Sequence, residues 1–344
     1  CHHDCPDTCV WDITVEGGRA VRIRGNADHP TTRGQLCPKV NRLLERVYHP
    51  DRVLRPLRRR GSKGSGTFEE ISWQEALDTI ADRFGELIQQ SGGESILQFS
   101  FDGTQGVIQK GVLADRFFDA IGASDIRRHL CGVTAWLGAS DVTGRPFGID
   151  PEDLRHARTI LLWGTNTLLT NRHLWPFIEE AREAGATVVT IDPVRTVTAR
   201  RSDDHIQLRP GSDIALVLGM VHVMETEGLL DHDWISESTT GWDDLWSSAV
   251  SMTPERTALM TGVDSVRIVW LARTYATLRP AAIRTLVGPE HRRNGRETMR
   301  AISMLASLTG AWRDVGGGLA RSTQIYFETA LNYPSGRPER RAFN

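Results

Sequence analysis

Cysteine is scarce in this sequence, with five residues in 344. A chain of that length buries a core of its own and has no need of the disulfide framework that staples small secreted domains. Net charge is nearly absent too. The 41 Lys and Arg stand against 43 Asp and Glu, a formal balance of −2, so the composition calls for no nucleic-acid partner. No apolar run reaches the roughly 18 to 20 residues that a membrane span needs. There is no internal repeat and no low-complexity tract. No Met opens the chain, and a chain that begins on Cys1 reads as trimmed, so the compartment stays open. The cytoplasm is slightly favoured, and the trimmed start leaves a leader, and with it another compartment, as the alternative. What remains is 40% hydrophobic and 24% charged, which describes a soluble globular protein of two or three domains.

Four of the five cysteines fall in one pattern. Cys1, Cys5 and Cys9 have the spacing C-x3-C-x3-C, and Cys37 follows after 27 residues. Three close thiols and one distant thiol suit a cubane [4Fe-4S] cluster, in which each iron takes one thiolate. Zinc also accepts four thiolates, but its structural sites usually come as two C-x2-4-C pairs. Disulfides or simple thiols are the remaining reading. Between Cys9 and Cys37, Ile13 and Val15 alternate with polar residues, Gly17-Gly18 makes a turn, and Val21 and Ile23 alternate again. This predicts a β-hairpin over 10–24 that brings Cys37 back beside the first three cysteines.

The three-cysteine run, the hairpin, Gly34-Gln35-Leu36-Cys37-Pro38-Lys39 and then Tyr48-His49-Pro50-Asp51-Arg52-Val53-Leu54-Arg55-Pro56-Leu57 together resemble the N-terminal part of the molybdopterin oxidoreductases, the dimethyl sulfoxide reductase superfamily. The resemblance runs along essentially the whole chain. It implies a small β-rich cluster domain followed by two α/β domains, one with a Rossmann-like parallel sheet. It also implies chains about twice this length that end in a pterin-capping barrel, which is not expected here. The expected divisions are 1–54 for the cluster domain, 55–129 for the first segment of an α/β domain, 130–287 for the pterin-dinucleotide domain, and 288–344 for a truncated return to the 55–129 domain. By resemblance, Lys39 lies between cluster and pterin and stabilises negative charge on either; on composition alone it is a surface lysine.

Residues 52–63 carry five Arg and a Lys with no interleaved aromatics, and read as a solvated linker rather than a nucleic-acid patch. Ser72-Trp73-Gln74-Glu75 is a capping box opening a helix whose apolar face is Ala76, Leu77, Ile80, Ala81, Phe84, Leu87 and Ile88. A buried strand is expected over 95–101 and a helix over about 107–121, with Leu113, Phe117 and Ile121 inward. Cys131 follows in Arg128-His129-Leu130-Cys131-Gly132. A lone cysteine among apolar neighbours is usually a small buried hydrophobe. The resemblance instead implies a thiolate ligand of molybdenum or tungsten at Cys131, and Gly132 departs from the histidine that formate dehydrogenases carry next.

Thr159–Trp163 and Thr187–Ile191 read as strands and about 174–184 as the helix between them. No G-x-G-x-x-G follows either strand, so NAD has no motif support. The loops are Trp163-Gly164-Thr165-Asn166, Ile191-Asp192-Pro193-Val194-Arg195-Thr196 and Arg209-Pro210-Gly211-Ser212-Asp213. They resemble those that hold one guanine dinucleotide arm of the cofactor, which marks Gly164, Asn166, Asp192, Pro193, Arg195, Gly211 and Asp213 as cofactor-binding. Backbone N–H groups at Gly164 and Gly211 suit phosphates, and Asp192 or Asp213 suits guanine or ribose. Asp213 equally reads as a cap for the helix it opens, and His173 as structural. Helices over 264–277 and in the segment running to Leu308 bracket a strand over 281–287. Gly288-Pro289-Glu290-His291-Arg292 resembles a second pterin loop, with Gly288 and His291 as contacts. Gly316-Gly317-Gly318 is expected to be a flexible loop near the active site, and Arg321 either meets an anionic substrate or is a surface arginine.

The resemblance therefore implies a molybdenum- or tungsten-dependent oxidoreductase with a [4Fe-4S] cluster and bis-molybdopterin guanine dinucleotide, passing electrons between a small-molecule substrate and the cluster. A separate electron-transfer subunit is an implied partner; nucleic acid and a membrane span are not. Two other functions stay open: an electron-transfer or scaffold subunit that lost the metal, and a non-redox hydratase or transhydroxylase.

Overall fold

The computed structural model describes residues 3, 5–100, 113–127, 132–321 and 342–343. The chain divides into two compact units, residues 1–128 with 330–344, and residues 129–329.

The first unit opens on the expected hairpin. β1 (Trp11–Glu16) pairs antiparallel with β2 (Arg19–Gly25), Ile13 facing Ile23. Gly17 and Gly18 both take positive φ, 55° and 77°, the turn whose twist matches the strands. Two short helices follow, α1 (Pro38–Asn41) and α2 (Leu43–Val47). Tyr48 then folds back on the hairpin, accepting the Ala20 N–H at 2.8 Å while the Arg19 guanidinium lies 3.7 Å over its ring. The basic stretch after it is not a plain linker. β3 (Leu57–Arg59) and β4 (Phe68–Glu70) form a second hairpin, and Glu69 pairs with Arg58 at 2.7 Å and Arg60 at 3.5 Å.

Ser72 accepts the Glu75 N–H at 3.1 Å and opens α3 (Trp73–Ser91), which ends at Gly92 in positive φ. The C-terminal part of its apolar face, Phe84, Leu87 and Ile88, is half-buried, with the Phe84 ring 6.4 Å from that of Phe117; the N-terminal part is open. Leu77 and Ile80 are half exposed and line an open apolar groove of about 500 Å³ with Val53, Leu54, Leu57 and Ile71. The strand expected over 95–101 is reduced, within its described part, to one bridge, Leu97 to Ser124, with Ile96 and Gln98 buried and Leu97 and Phe99 exposed. In α4 (Leu113–Ala120) Leu113 is exposed rather than inward, and Phe117 is half exposed with its ring against Phe84 and Phe118. β5 (Asp125–Ile126) pairs with Ala342–Phe343.

The second unit begins with α5 (Val133–Thr143) and is built on a fully parallel sheet. In chain order its elements are β6 (Thr159–Trp163), α6 (Thr167–Thr170), α7 (Trp175–Glu183), β7 (Thr187–Ile191), β8 (Asp204–Ile206), α8 (Asp213–Thr226), α9 (His232–Ser238), α10 (Trp242–Ala249), α11 (Pro254–Thr261), α12 (Ser265–Thr277), β9 (Ala281–Thr285), α13 (Gly295–Leu308) and β10 (Gly318–Ala320). The sheet order is β10-β9-β6-β7-β8. Every residue of β6 and β9 is buried, as a parallel sheet covered on both faces requires. Leu161, Trp163, Val189, Ile191 and Ile283 meet α5, α8, α12 and α13 on one face. Ile160, Leu162, Val188 and Ala282 meet α7 on the other. Asp231, Thr253 and Asp264 cap α9, α11 and α12 with side-chain oxygens. No closed barrel occurs among the described residues.

The expected change of domain at 288 does not coincide with a change of compact unit. Residues 288–321 stay with the sheet, because α13 packs on its apolar face and β10 pairs with β9. Gly316-Gly317-Gly318 is not a flexible loop but a buried turn. A Cβ on Gly317 would come 2.3 Å from the Ala311 carbonyl oxygen, and one on Gly316 2.8 Å from the Ala157 nitrogen. The turn also enters β10 at its N-terminal end, the sheet edge opposite to the loops that carry the cofactor motifs.

Gly138 lets α5 lie against α13, since a Cβ there would sit 2.4 Å from the Arg296 carbonyl oxygen and 2.9 Å from Met299 Cβ. Gly138→Ala should therefore lower stability by about 1–3 kcal/mol. Gly85→Ala, in α3 with nothing within 4 Å of the new methyl, should raise it by up to about 1 kcal/mol. Urea denaturation of the two variants checks both signs.

Candidate functional site

Two sets of residues singled out in the sequence come together, one in each unit. In the first, Asn26 N–H bonds the Val10 carbonyl at 3.0 Å, which fixes the residue after Cys9 to the end of the hairpin. Gly25 packs so closely on the next turn that a Cβ would lie 2.5 Å from the Gly34 carbonyl oxygen. That contact delivers the chain to Cys37, whose carbonyl accepts the Val40 and Asn41 N–H groups at 3.0 and 3.1 Å and starts α1. Cys9 and Cys37 are buried, Cys5 is half-buried, and none is in a disulfide. Burial pushes the Cys9 thiol up to about 11, with the Asp7 carboxylate and the neighbouring Cys5 and Cys37 adding to it. Burial also raises Cys5, opposed by a backbone hydrogen bond from Asp7 and, more weakly, by the positive charge of the exposed Lys39.

The donor set suits a polynuclear cluster. A cubane spreads its four thiolates over four irons, whereas zinc draws them onto one centre. Cys1, expected as the fourth ligand, and Cys131, expected on the metal, both lie outside the described residues.

The second set lies at the C-terminal edge of the parallel sheet. β6 is the middle strand. The chain goes from it to β7 and β8 on one side and returns to β9 and β10 on the other, so the loops after β6 and β9 part at a switch point, where parallel sheets bind ligands. Gly164 (φ 60°) ends β6, and Gly288-Pro289 follows β9. A Cβ on Gly164 would come 2.5 Å from Pro289 Cδ, and one on Gly288 2.4 Å from the Gly164 carbonyl oxygen. The Gly164 N–H, expected to meet a phosphate, is instead donated to the Ile191 carbonyl at 2.8 Å. Gly164 thus serves the interlock of two loops.

Asp213 is likewise committed. It opens α8 without capping it; its carboxylate accepts Trp163 Nε1–H at 2.9 Å and Arg292 Nη1–H at 2.7 Å. Gly211 (φ 90°) leaves room for that same guanidinium, 3.5 Å from where its Cβ would be. Asn166 Oδ1 accepts the Thr198 hydroxyl at 2.8 Å. Asp192 uses one carboxylate oxygen on the Val194 N–H at 2.8 Å, its carbonyl meets His205 Nε2 at 2.8 Å, and burial raises its pKa. The Pro193 carbonyl accepts Gln207 Nε2–H at 3.0 Å, and the exposed Arg195 accepts Arg200 Nη1–H on its carbonyl at 3.0 Å. Gly288 and His291 are exposed, and His173 is buried in a turn before α7.

Arg321 is not an uncommitted cation. Its Nη2–H donates to Glu290 Oε1 at 2.6 Å, and Glu290 is fully buried. Glu290 and Arg292, next to His291 in the same loop, were not singled out in the sequence. Burial of a charge is decided by distant partners, and only the placement of the loop after a strand hinted at them. Three buried polar atoms on this edge, Thr285 Oγ1, Arg292 Nε and Arg321 Nε, find no partner among the described residues. Donors of this kind fit an anionic, oxygen-rich group such as a pterin dinucleotide.

Residues 1–49 match the family described as Molybdopterin oxidoreductase Fe4S4 domain, and residues 52–332 match Molybdopterin oxidoreductase. The chain is 39% identical over 332 residues to the probable oxidoreductase YoaE of Bacillus subtilis, covering 96% of this chain and 49% of that one. It is 33% identical over 313 residues to the dimethyl sulfoxide reductase DmsA of Escherichia coli, covering 80% and 38%. Acetylene hydratase from Pelobacter acetylenicus superposes with a TM-score of 0.71 at 27% identity, over 88% of this chain and 42% of that chain. The chain spans about half the length of the curated relatives it matches. No helix among the described residues is long and apolar enough to cross a membrane.

The Trp163–Asp213–Arg292 arrangement predicts unequal costs for the two aspartates. Asp213→Ala strands a largely buried guanidinium and should cost about 3 kcal/mol. Asp192→Ala loses one backbone hydrogen bond and should cost about 1 kcal/mol. Chemical denaturation followed by tryptophan fluorescence measures both.

Proposed function

We propose that this chain, which belongs to the molybdopterin oxidoreductase family and carries that family's Fe4S4 domain, forms part of a molybdenum- or tungsten-dependent oxidoreductase that exchanges electrons with a [4Fe-4S] cluster. The observation that carries the reading is the convergence of four loops, after β6, β7, β8 and β9, at the switch point of the sheet, with buried donors left over. Cys5, Cys9 and Cys37, with Cys1, would hold the cluster, and Cys131 would supply a thiolate to the metal. Bis-molybdopterin guanine dinucleotide, when bound, supplies two-electron chemistry at the metal, and the cluster exchanges single electrons.

The protein's own part is to hold and to tune. Lys39 places positive charge beside the thiolates. The second oxygen of Asp192, the Asn166 amide and the Gly211 backbone are suited to a guanine nucleotide arm, with Pro193 and Arg195 shaping that loop. Gly288 and His291 are suited to the pterin, and Thr285, Arg292 and Arg321 offer donors to its oxygens. Asp213 acts through Arg292 rather than on the nucleotide. The substrate is a small molecule, and electrons pass to or from a separate partner subunit.

A non-redox reading is favoured by one observation, the likeness to a solved acetylene hydratase. In that case the metal would act as a Lewis acid, and turnover would need no electron acceptor.

Elemental analysis of protein purified without oxygen tests the proposal. About four irons and about one molybdenum or tungsten per chain are expected, and Cys37→Ser should lower the iron. Iron without the heavier metal, in cells supplied with molybdate and tungstate, would point to an electron carrier or scaffold. One zinc and no iron would overturn the cluster assignment.

A further inference from the structure

α5 starts with no cap of its own. Gly132 is its N-cap residue, no side chain there bonds to the first turn, and the first turn contains no acidic residue. Helix N-termini leave N–H groups without intrahelical partners and carry partial positive charge, so a buried one needs an acceptor. The acceptor comes from 155 residues away: Glu290 Oε2 takes the Ala135 N–H at 3.0 Å. The other oxygen, Oε1, takes Arg321 Nη2–H at 2.6 Å, and the Glu290 side chain is fully buried. The Glu290 backbone is fixed as well. Its N–H bonds the Val287 carbonyl at 3.2 Å, its carbonyl accepts the Arg292 N–H at 2.8 Å, and a Cβ on Gly295 would lie 2.1 Å from that carbonyl oxygen. At the far end of α5 a separate bidentate pair, Asp141 with Arg296 at 2.7 Å, ties it to α13.

We propose that Glu290 is a positioning residue: by holding the first turn of α5 against the loop after β9, it fixes the backbone that immediately follows Cys131. The inference rests on the reading of Cys131 as the metal ligand. It goes beyond that reading by naming a group that touches neither metal nor substrate. Gly132 lies one residue before the helix and one after Cys131, and its positive φ of 63° makes it a pivot. The Ala135 hydrogen bond clamps the helix side of that pivot. Arg321 neutralises the carboxylate that does so, which gives the arginine a role without an anionic substrate.

The test compares Glu290→Ala, Glu290→Gln and Asp141→Ala in the whole protein, cofactor-loaded and cofactor-free. Two readouts are followed, amide exchange in the first turn of α5 and alkylation of Cys131, both by peptide mass spectrometry. In cofactor-free protein, E290A should speed both by roughly five- to tenfold, the effect of losing a helix cap. E290Q, which keeps an acceptor oxygen, should restore the exchange protection. D141A loosens the other end of α5 and should change neither, which separates positioning from general destabilisation. Where a lone buried Arg321 stops E290A from folding, E290L/R321L removes both charges and carries the same test. Exchange and labelling unchanged in E290A (or in E290L/R321L where that stands in for it), or matched by D141A, would overturn the positioning role. Labelling of wild-type Cys131 that is the same with and without cofactor would overturn the ligand reading alone.

Discussion

A parallel sheet whose middle strand comes first in the chain has to open a cleavage line at one edge. Here β6 is that strand, and the chain builds outward from it in both directions. The loops after β6 and β9 must leave their adjacent strand ends and diverge. Everything of chemical interest in the second unit depends on this. Gly164 and Pro289 close the base of the line, Asp213 and Arg292 brace one wall, and Glu290 carries the brace across to α5.

The two edges of the sheet are treated differently. At the N-terminal edge the chain fills space with glycine, and Gly316–Gly318 pack directly on backbone and the Trp312 ring. At the C-terminal edge it buries charge. Arg284 is 3% exposed and bonds Asn171 and the Ala320 carbonyl, Asp213 is 4% exposed and Glu290 2%. Burying charge is costly unless it is paired and hydrogen-bonded. A fold gains nothing in stability from doing so repeatedly at one edge when apolar residues serve the other. The asymmetry is in keeping with the charged ligand proposed for that edge.

Legibility in the sequence followed the range of the forces involved. β6 and β7 were readable to the residue, because a short run of apolar and β-branched residues bounded by polar loops is a local signal. The β1–β2 hairpin and the start of α3 were readable for the same reason, through Gly17-Gly18 and the Ser72 capping box. β8 was not, since Asp204-His205-Ile206 offers one apolar residue and exists only because β7 is beside it. α5 was missed for want of a cap, its acceptor lying in a distant loop. The motif loops all fall at the C-terminal edge of the sheet, but the motifs did not give the partners of individual side chains. A motif gives residue types, whereas whether Asp213 faces a ligand or a guanidinium is settled by side chains 50 and 79 positions away. The apolar stripe on α3 was visible, but periodicity says only that a face is apolar, not what covers it.

The interlock at the switch point has a consequence for how this sequence is free to drift. Gly164 tolerates no side chain because the Pro289 ring occupies the space, and Gly288 tolerates none because the Gly164 carbonyl does. No exchange at 164 or 289 relieves Gly288, since any residue at 164 brings the same backbone carbonyl, and Gly164 is held a second time by its own positive φ of 60°. Descendants of this chain should therefore keep glycine at both 164 and 288, though 124 residues separate them.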